Sequence, residues 1–137
     1  MNAYVFNDLY VGMSVEFHRD VNNELIHGFA RISGDSNLLH IDKDYARKSG
    51  YTDQVAHGML CSSFLSELVG VHLPGENCLL TDISVEFVKP VLAGDRVSIR
   101  GEIAQLSPAF KTAKIEATVI NKYSLVCVRA KIGVVVR

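Results

Sequence analysis

From Ile83 to the end of the chain, apolar and polar residues alternate with a period of two. Ile83, Val85 and Phe87 alternate with Asp82, Ser84 and Glu86, and Val97, Ile99 and Ile103 with Ser98, Arg100 and Glu102. Ala113, Ile115, Ala117 and Val119 follow the same rule, as do Val126, Val128, Ala130, Ile132 and Val134. Successive side chains of a strand point to opposite faces, so each run predicts a strand with one apolar face. Lys89-Pro90 and Gly94-Asp95 mark a turn between the first two. The expectation is four long strands joined by short turns as an antiparallel meander, with a weaker fifth strand over residues 14–20. The apolar face persists to the end in I-G-V-V-V, which suggests a sheet continuing into a partner subunit.

The first half has a different period. Ile26, Phe29, Ala30 and Ser33 fall on one helix face, with Asn22 or Asn23 to cap the start and Gly34 to end it. Asp42 can cap a short helix over 43–49, closed by Gly50. From Ala56, the run H-G-M-L-C-S-S-F-L-S-E-L-V-G-V is apolar or small almost all round, with Glu67 its only charge. Such a helix is buried, and at ~1.5 Å per residue it spans roughly 20 Å, enough to cross a small domain. A long apolar helix followed by strands predicts an α+β fold in which an antiparallel sheet wraps a central helix.

Between the two shorter helices lies SGDSNLLHIDKDYARKSG, residues 33–50. It holds Asp35, Asn37 and His40. On one continuous helix, Asp35 and His40 would point about 140° apart. Because Gly34 ends the first helix, the chain is free to aim both at one place.

The remaining properties narrow the class. With 137 residues, 48% of them hydrophobic, the chain is expected to form a single domain (1–137) with a real core. A net charge of −1 without a basic face argues against nucleic acid. No apolar run approaches the ~20 residues that span a bilayer, and MNAYVFNDLYVG lacks the pattern of a secretory signal. Cys61, Cys78 and Cys127 form no CxxC pair and read as reduced thiols of a cytoplasmic protein. His18, His27 and His72 share no ligand spacing, so no metal is expected, and no phosphate-binding glycine pattern occurs.

The stretch FARISGDSNLLHIDKDYARKSGYTDQVAHGML resembles the hydratase signature of MaoC-like dehydratases and (R)-specific enoyl-CoA hydratases. That signature runs Phe-Ala, then Ser-Gly-Asp-x-Asn-Pro-x-His-x-Asp, an Ala, and later Ala-His-Gly-Met. VEFVKPVLAGDRV fits the family's strand-turn-strand, so the resemblance runs from about Glu24 to the C-terminus. The chain departs once, with Leu38 where the family usually has proline, which leaves that loop freer. The resemblance implies the hot-dog fold, a homodimer or dimer-based assembly with its site near the interface, and reversible hydration of a trans-2-enoyl-CoA to the (R)-3-hydroxyacyl-CoA.

The chemistry needs a base toward water, a proton for the α-carbon, and a donor to the thioester oxygen as it gains charge. By resemblance Asp35 and His40 are the acid–base pair, with Asp35 the main base and His40 orienting water and sharing proton transfer. Gly58, opening the buried helix, is the expected N–H donor to the oxyanion. Asn37 would bond the loop or His40. His57 would line the site, cap the helix or pack. Ser62 would face the site or let the sheet close over the helix. Lys89, Arg96, Arg100 and Lys111 are candidates for coenzyme A phosphates. Coenzyme A enters as the substrate's carrier, and no other cofactor is implied. Three alternatives stay open: a 3-hydroxyacyl-[acyl carrier protein] dehydratase, a hot-dog thioesterase, and a non-catalytic acyl-binding module.

Overall fold

The computed structural model describes all 137 residues. A 3-10 turn (Phe6–Asp8) leads into β1 (Ser14–Asp20), then α1 (Asn23–Ser33), α2 (Leu38–Ile41), α3 (Lys43–Lys48) and α4 (Gly58–Glu67). A π-helical turn (Leu68–His72) extends α4. Then come β2 (Cys78–Phe87), β3 (Arg96–Ser107), β4 (Thr112–Ile120) and β5 (Val126–Val136).

The local signals act as anticipated. The Asn22 side chain accepts from the Leu25 N–H and caps α1, and Gly34 closes it in the left-handed region at φ 79°. Asp42 accepts from the Tyr45 N–H and caps α3. Residues 38–41, expected as loop, form the short helix α2 because the Asn37 side chain accepts from the Leu39 N–H.

All five strands are antiparallel neighbours in one sheet of order β1-β3-β4-β5-β2. This corrects the four-strand meander. Only β3, β4 and β5 are consecutive neighbours; β2 pairs with β5, from Cys78↔Val136 to Phe87↔Val128. Residues 88–95 are therefore a crossover between the two sides of the sheet, not a hairpin turn. Alternation specifies which face of each strand is apolar but not its neighbour. The β2 and β5 faces match as well as β2 and β3 would.

Ile99, Ile103, Ile115, Val119, Ile132 and Val134 of the inner face pack with Leu60, Leu65 and Leu68 of the central helix in one core. Full burial of such a side chain contributes about 1.5–3 kcal/mol. A sheet wrapped round a central helix is the hot-dog fold. The helix is not buried all round, however. Met59, Ser63, Ser66 and Gly70 form an exposed stripe, a second correction to the sequence reading. Beside it runs the inner side of edge strand β2. Leu80 pairs with Val134 and Ile83 with Ile132, both fully buried, yet Leu80, Ile83 and Phe87 are 48, 42 and 53% exposed. The other edge, β1, carries Glu16, His18 and Asp20 on its outer side.

Candidate active site

Asp35 is held at three atoms. Its N–H donates to Ser33 Oγ (3.1 Å), its Oδ1 accepts from the Asn37 N–H (3.2 Å), and its carbonyl accepts from His57 Nε2 (2.9 Å). Oδ2 is left to face the next group, His40 Nε2, at 3.8 Å. The Gly34 turn and the α2 cap together bring an acid and an imidazole, five positions apart, to one place.

His40 is fixed from its other side. Its Nδ1 lies 2.6 Å from the Val55 carbonyl oxygen. A carbonyl only accepts, so Nδ1 carries the hydrogen and Nε2 of the neutral ring presents a lone pair toward Asp35. The buried Gln54 amide donates to the His40 carbonyl (2.9 Å) and to His27 Nε2 (3.1 Å). Lys43 pairs with Asp53 at 2.8 Å, holding the carboxyl below its usual range and tying α3 to the segment that carries Gln54 and Val55. Sequence reasoning missed Gln54 and Val55. Their signal is weak, because one acts through a backbone atom and the other is a lone amide.

The gap between Asp35 Oδ2 and His40 Nε2 is too wide for a direct hydrogen bond and suits one water. A water about 2.8 Å from each would see them roughly 85° apart, close to the angle between its own O–H bonds. Both groups accept, so the oxygen's lone pairs stay free to attack.

A cleft of about 420 Å³ opens beside His40. Its walls include Val55, Ala56, Met59, Cys61, Phe87 and Val128, an apolar lining suited to an acyl chain. Gly58 lies at this cleft as the first residue of α4, where backbone N–H groups lack helical acceptors. A Cβ on Gly58 would fall 2.8 Å from the half-exposed Phe87 ring, so a larger residue there would have to displace that ring.

The other expected site residues divide. Asn37 serves the loop and the α2 cap rather than the cleft. Ser62 does not line the cleft; its hydroxyl donates to the Gly58 carbonyl at 3.1 Å. His57 is buried behind His40 with the rings stacked at 3.8 Å. Of the four candidate cations only Lys89 lines the cleft. Arg96 pairs with Asp20 (3.4 Å) and Arg100 with Glu102 (3.4 Å). Lys111 sits at the β3–β4 turn. Arg100 borders a second concavity of about 480 Å³ on the outer sheet face, whose walls are mostly charged and partly paired with one another.

Ligand atoms of Asp35, His40 and His57 lie within 4.8 Å of one another, a grouping that linear spacing does not reveal. Their geometry fits acid–base work better than a metal. Lone pairs lie in the ring planes, so those of stacked rings run side by side instead of converging, and each ring already spends one nitrogen on a carbonyl.

Cys61 also borders the cleft, but burial pushes its thiol up to about 12. The nucleophilic form is the thiolate, so Cys61 is no nucleophile at neutral pH. In the native protein at pH 8 it is expected to resist iodoacetamide and to react fully once unfolded, as mass spectrometry would read. Below the thiol's ordinary 9.0 both states hold the proton; above it the unfolded chain ionises first, so stability falls as pH rises from there toward 12. Cys61→Ala should flatten that alkaline limb.

The MaoC-like domain family model matches residues 8–123. The chain belongs to the MaoC-like family. A 3-hydroxybutyryl-CoA dehydratase of Methylorubrum extorquens is 30% identical over 118 residues, covering 86% of this chain and 75% of that protein. An (R)-specific enoyl-CoA hydratase of Rhodospirillum rubrum is 32% identical over 121 residues, covering 87% and 84%. Among solved structures, the R-hydratase of Aeromonas caviae superposes with a TM-score of 0.91 at 27% identity, covering 94% of this chain and 98% of that one. The unliganded R-hydratase of Pseudomonas aeruginosa gives 0.93 at 25% identity, covering 96% and 84%. This MaoC-like chain is thus an enzyme of the hydratase and dehydratase class with the hot-dog fold. No helix in it is long and apolar enough to cross a membrane.

Proposed function

We propose that this MaoC-like protein adds water reversibly across the double bond of a trans-2-enoyl-CoA to give the (R)-3-hydroxyacyl-CoA. The observation that carries this is the pair of acceptors, Asp35 Oδ2 and His40 Nε2, 3.8 Å apart, with His40 lining an apolar cleft. Asp35, helped by His40, takes one proton from the bound water as its oxygen attacks C3, while the second hydrogen is held in a hydrogen bond and stays on the product's hydroxyl. The proton taken from water is delivered to C2, so only water is consumed. The Gly58 N–H at the start of α4 receives the thioester oxygen as it becomes an enolate. Lys89 is the cation placed for the carrier's phosphates, and coenzyme A is the carrier. No redox or metal cofactor takes part. The three free cysteines suit the cytoplasm.

The working form is a homodimer built on β2 and the open stripe of α4. Exposed apolar residues on an edge strand invite pairing unless something covers them, and Leu80, Ile83 and Phe87 are such a row beside the cleft. Ile83→Lys is expected to give a monomer by sedimentation and to lose most turnover. A variant that still sediments as the wild-type dimer would show that the interface lies elsewhere.

Mixing the protein with crotonyl-CoA and following loss of enoyl-thioester absorbance tests the activity, and chiral analysis of the product tests the (R) assignment. Turnover of acyl carrier protein substrates alone would favour the dehydratase alternative. Thioester cleavage would favour a thioesterase, and binding without turnover a silent module.

A further inference from the structure

The His57 side chain touches both members of the acid–base pair. Its Nε2 donates to the Asp35 carbonyl at 2.9 Å, which fixes the backbone that carries the acid. Its ring stacks on His40 with centroids 3.8 Å apart and planes 27° apart, which fixes the plane in which Nε2 of His40 points. Phe29 supports it from a third side, tilted at 5.0 Å. It is also the N-cap of α4, so the peptide that follows is that of Gly58. Acid, imidazole and expected oxyanion donor are thereby referred to one buried ring.

The choice of residue agrees with such a task. His57 is 2% exposed and does not line the cleft, so it does not meet substrate. Its Nδ1 is buried with no hydrogen-bond partner. An unpaired buried nitrogen is costly, and a residue present only to fill space would not carry that cost. A flat ring with an N–H on one edge does what neither an aliphatic nor a plain aromatic ring can.

We infer that His57 is a positioning residue that sets the Asp35–His40 geometry through its Nε2–H and its ring face. This rests on the hydration reading above. Two substitutions divide its parts: His57→Phe keeps a ring for His40 and loses the donor, whereas His57→Gln keeps a donor and loses the ring. Each should lower kcat on crotonyl-CoA about tenfold or more while KM stays within about threefold, because small displacements of reacting groups act on the chemical step. Full kcat in either variant, or a raised KM with unchanged kcat, overturns the inference.

Imidazole nitrogen-15 spectra of the wild type provide a measurement that needs no turnover and no variant. They should show His57 with its hydrogen on Nε2 and His40 with its hydrogen on Nδ1. The hydrogen of His57 on Nδ1 instead also overturns it. If the wild type hydrates no enoyl thioester, the functional reading fails separately, and crystal structures of the wild type and the variants decide this one. An Asp35 Oδ2 to His40 Nε2 distance or a His40 ring plane displaced in the variants supports positioning; both unchanged in each variant refutes it.

Discussion

Asp35→Asn is expected to cut hydration of crotonyl-CoA by about 10²–10⁴, the usual worth of a positioned acid–base group. Asparagine keeps the size of the side chain and an oxygen to accept from the Asn37 N–H. What then faces His40 is an amide NH₂, which donates where the carboxylate oxygen accepted. It can neither take a proton from water nor help hold water with its lone pairs outward. The Asp35 side chain is half exposed, so the fold should be indifferent to the change, and KM should move little. His40→Ala should match it, and the double variant should be scarcely worse than either, because groups that act on one water fail together. An Asp35→Asn enzyme within threefold of wild type would remove Asp35 from the mechanism.

Gly101→Val is expected to destabilise the protein by about 1–3 kcal/mol, the typical cost of overpacking a filled core. Gly101 lies mid-way along β3 on the inner face, opposite the π-helical turn after α4. A Cβ there would sit 2.6 Å from a methyl of Leu68, which is fully buried and has nowhere to go. Either β3 or the end of the central helix must shift, and the helix also carries Gly58 at its other end. Thermal unfolding should register a fall of several degrees, with activity reduced beyond the unfolded fraction. Gly28→Ala is the contrasting case. It lies within α1 with only Arg31 at 3.7 Å from the added carbon, and it should be neutral or stabilising by about 0.4–1 kcal/mol. A Gly101→Val protein as stable as wild type would mean that the helix end is looser than its burial implies.

Local signals in the chain were sufficient for much of this. Period-two runs located the strands, because alternation is a property of a single strand and needs no partner. Asn22, Gly34 and Asp42 marked helix ends through bonds made within a few residues. The Gly34 stop also implied that Asp35 and His40 leave a common helix, and their meeting depends on turns only a few residues long. The resemblance then assigned them a chemistry that neither residue type states alone.

Other features depended on groups distant in sequence. The pairing of β2 with β5 rather than β3 was invisible because several strands carry equivalent apolar faces, and packing of the whole sheet round the helix selects among them. The exposed stripe of α4 was hidden by its small residues, which read as buried whether or not anything covers them. Val55 contributes a carbonyl, which no residue letter encodes. His57 stacks on a ring 17 positions away and bonds to a carbonyl 22 positions away, so neither contact is visible in the linear order. Side-chain type and local turns specify which groups can do chemistry, so these are legible along the chain. The groups that hold them in place are backbone atoms and ring faces brought together by packing, so they become visible only in the folded molecule.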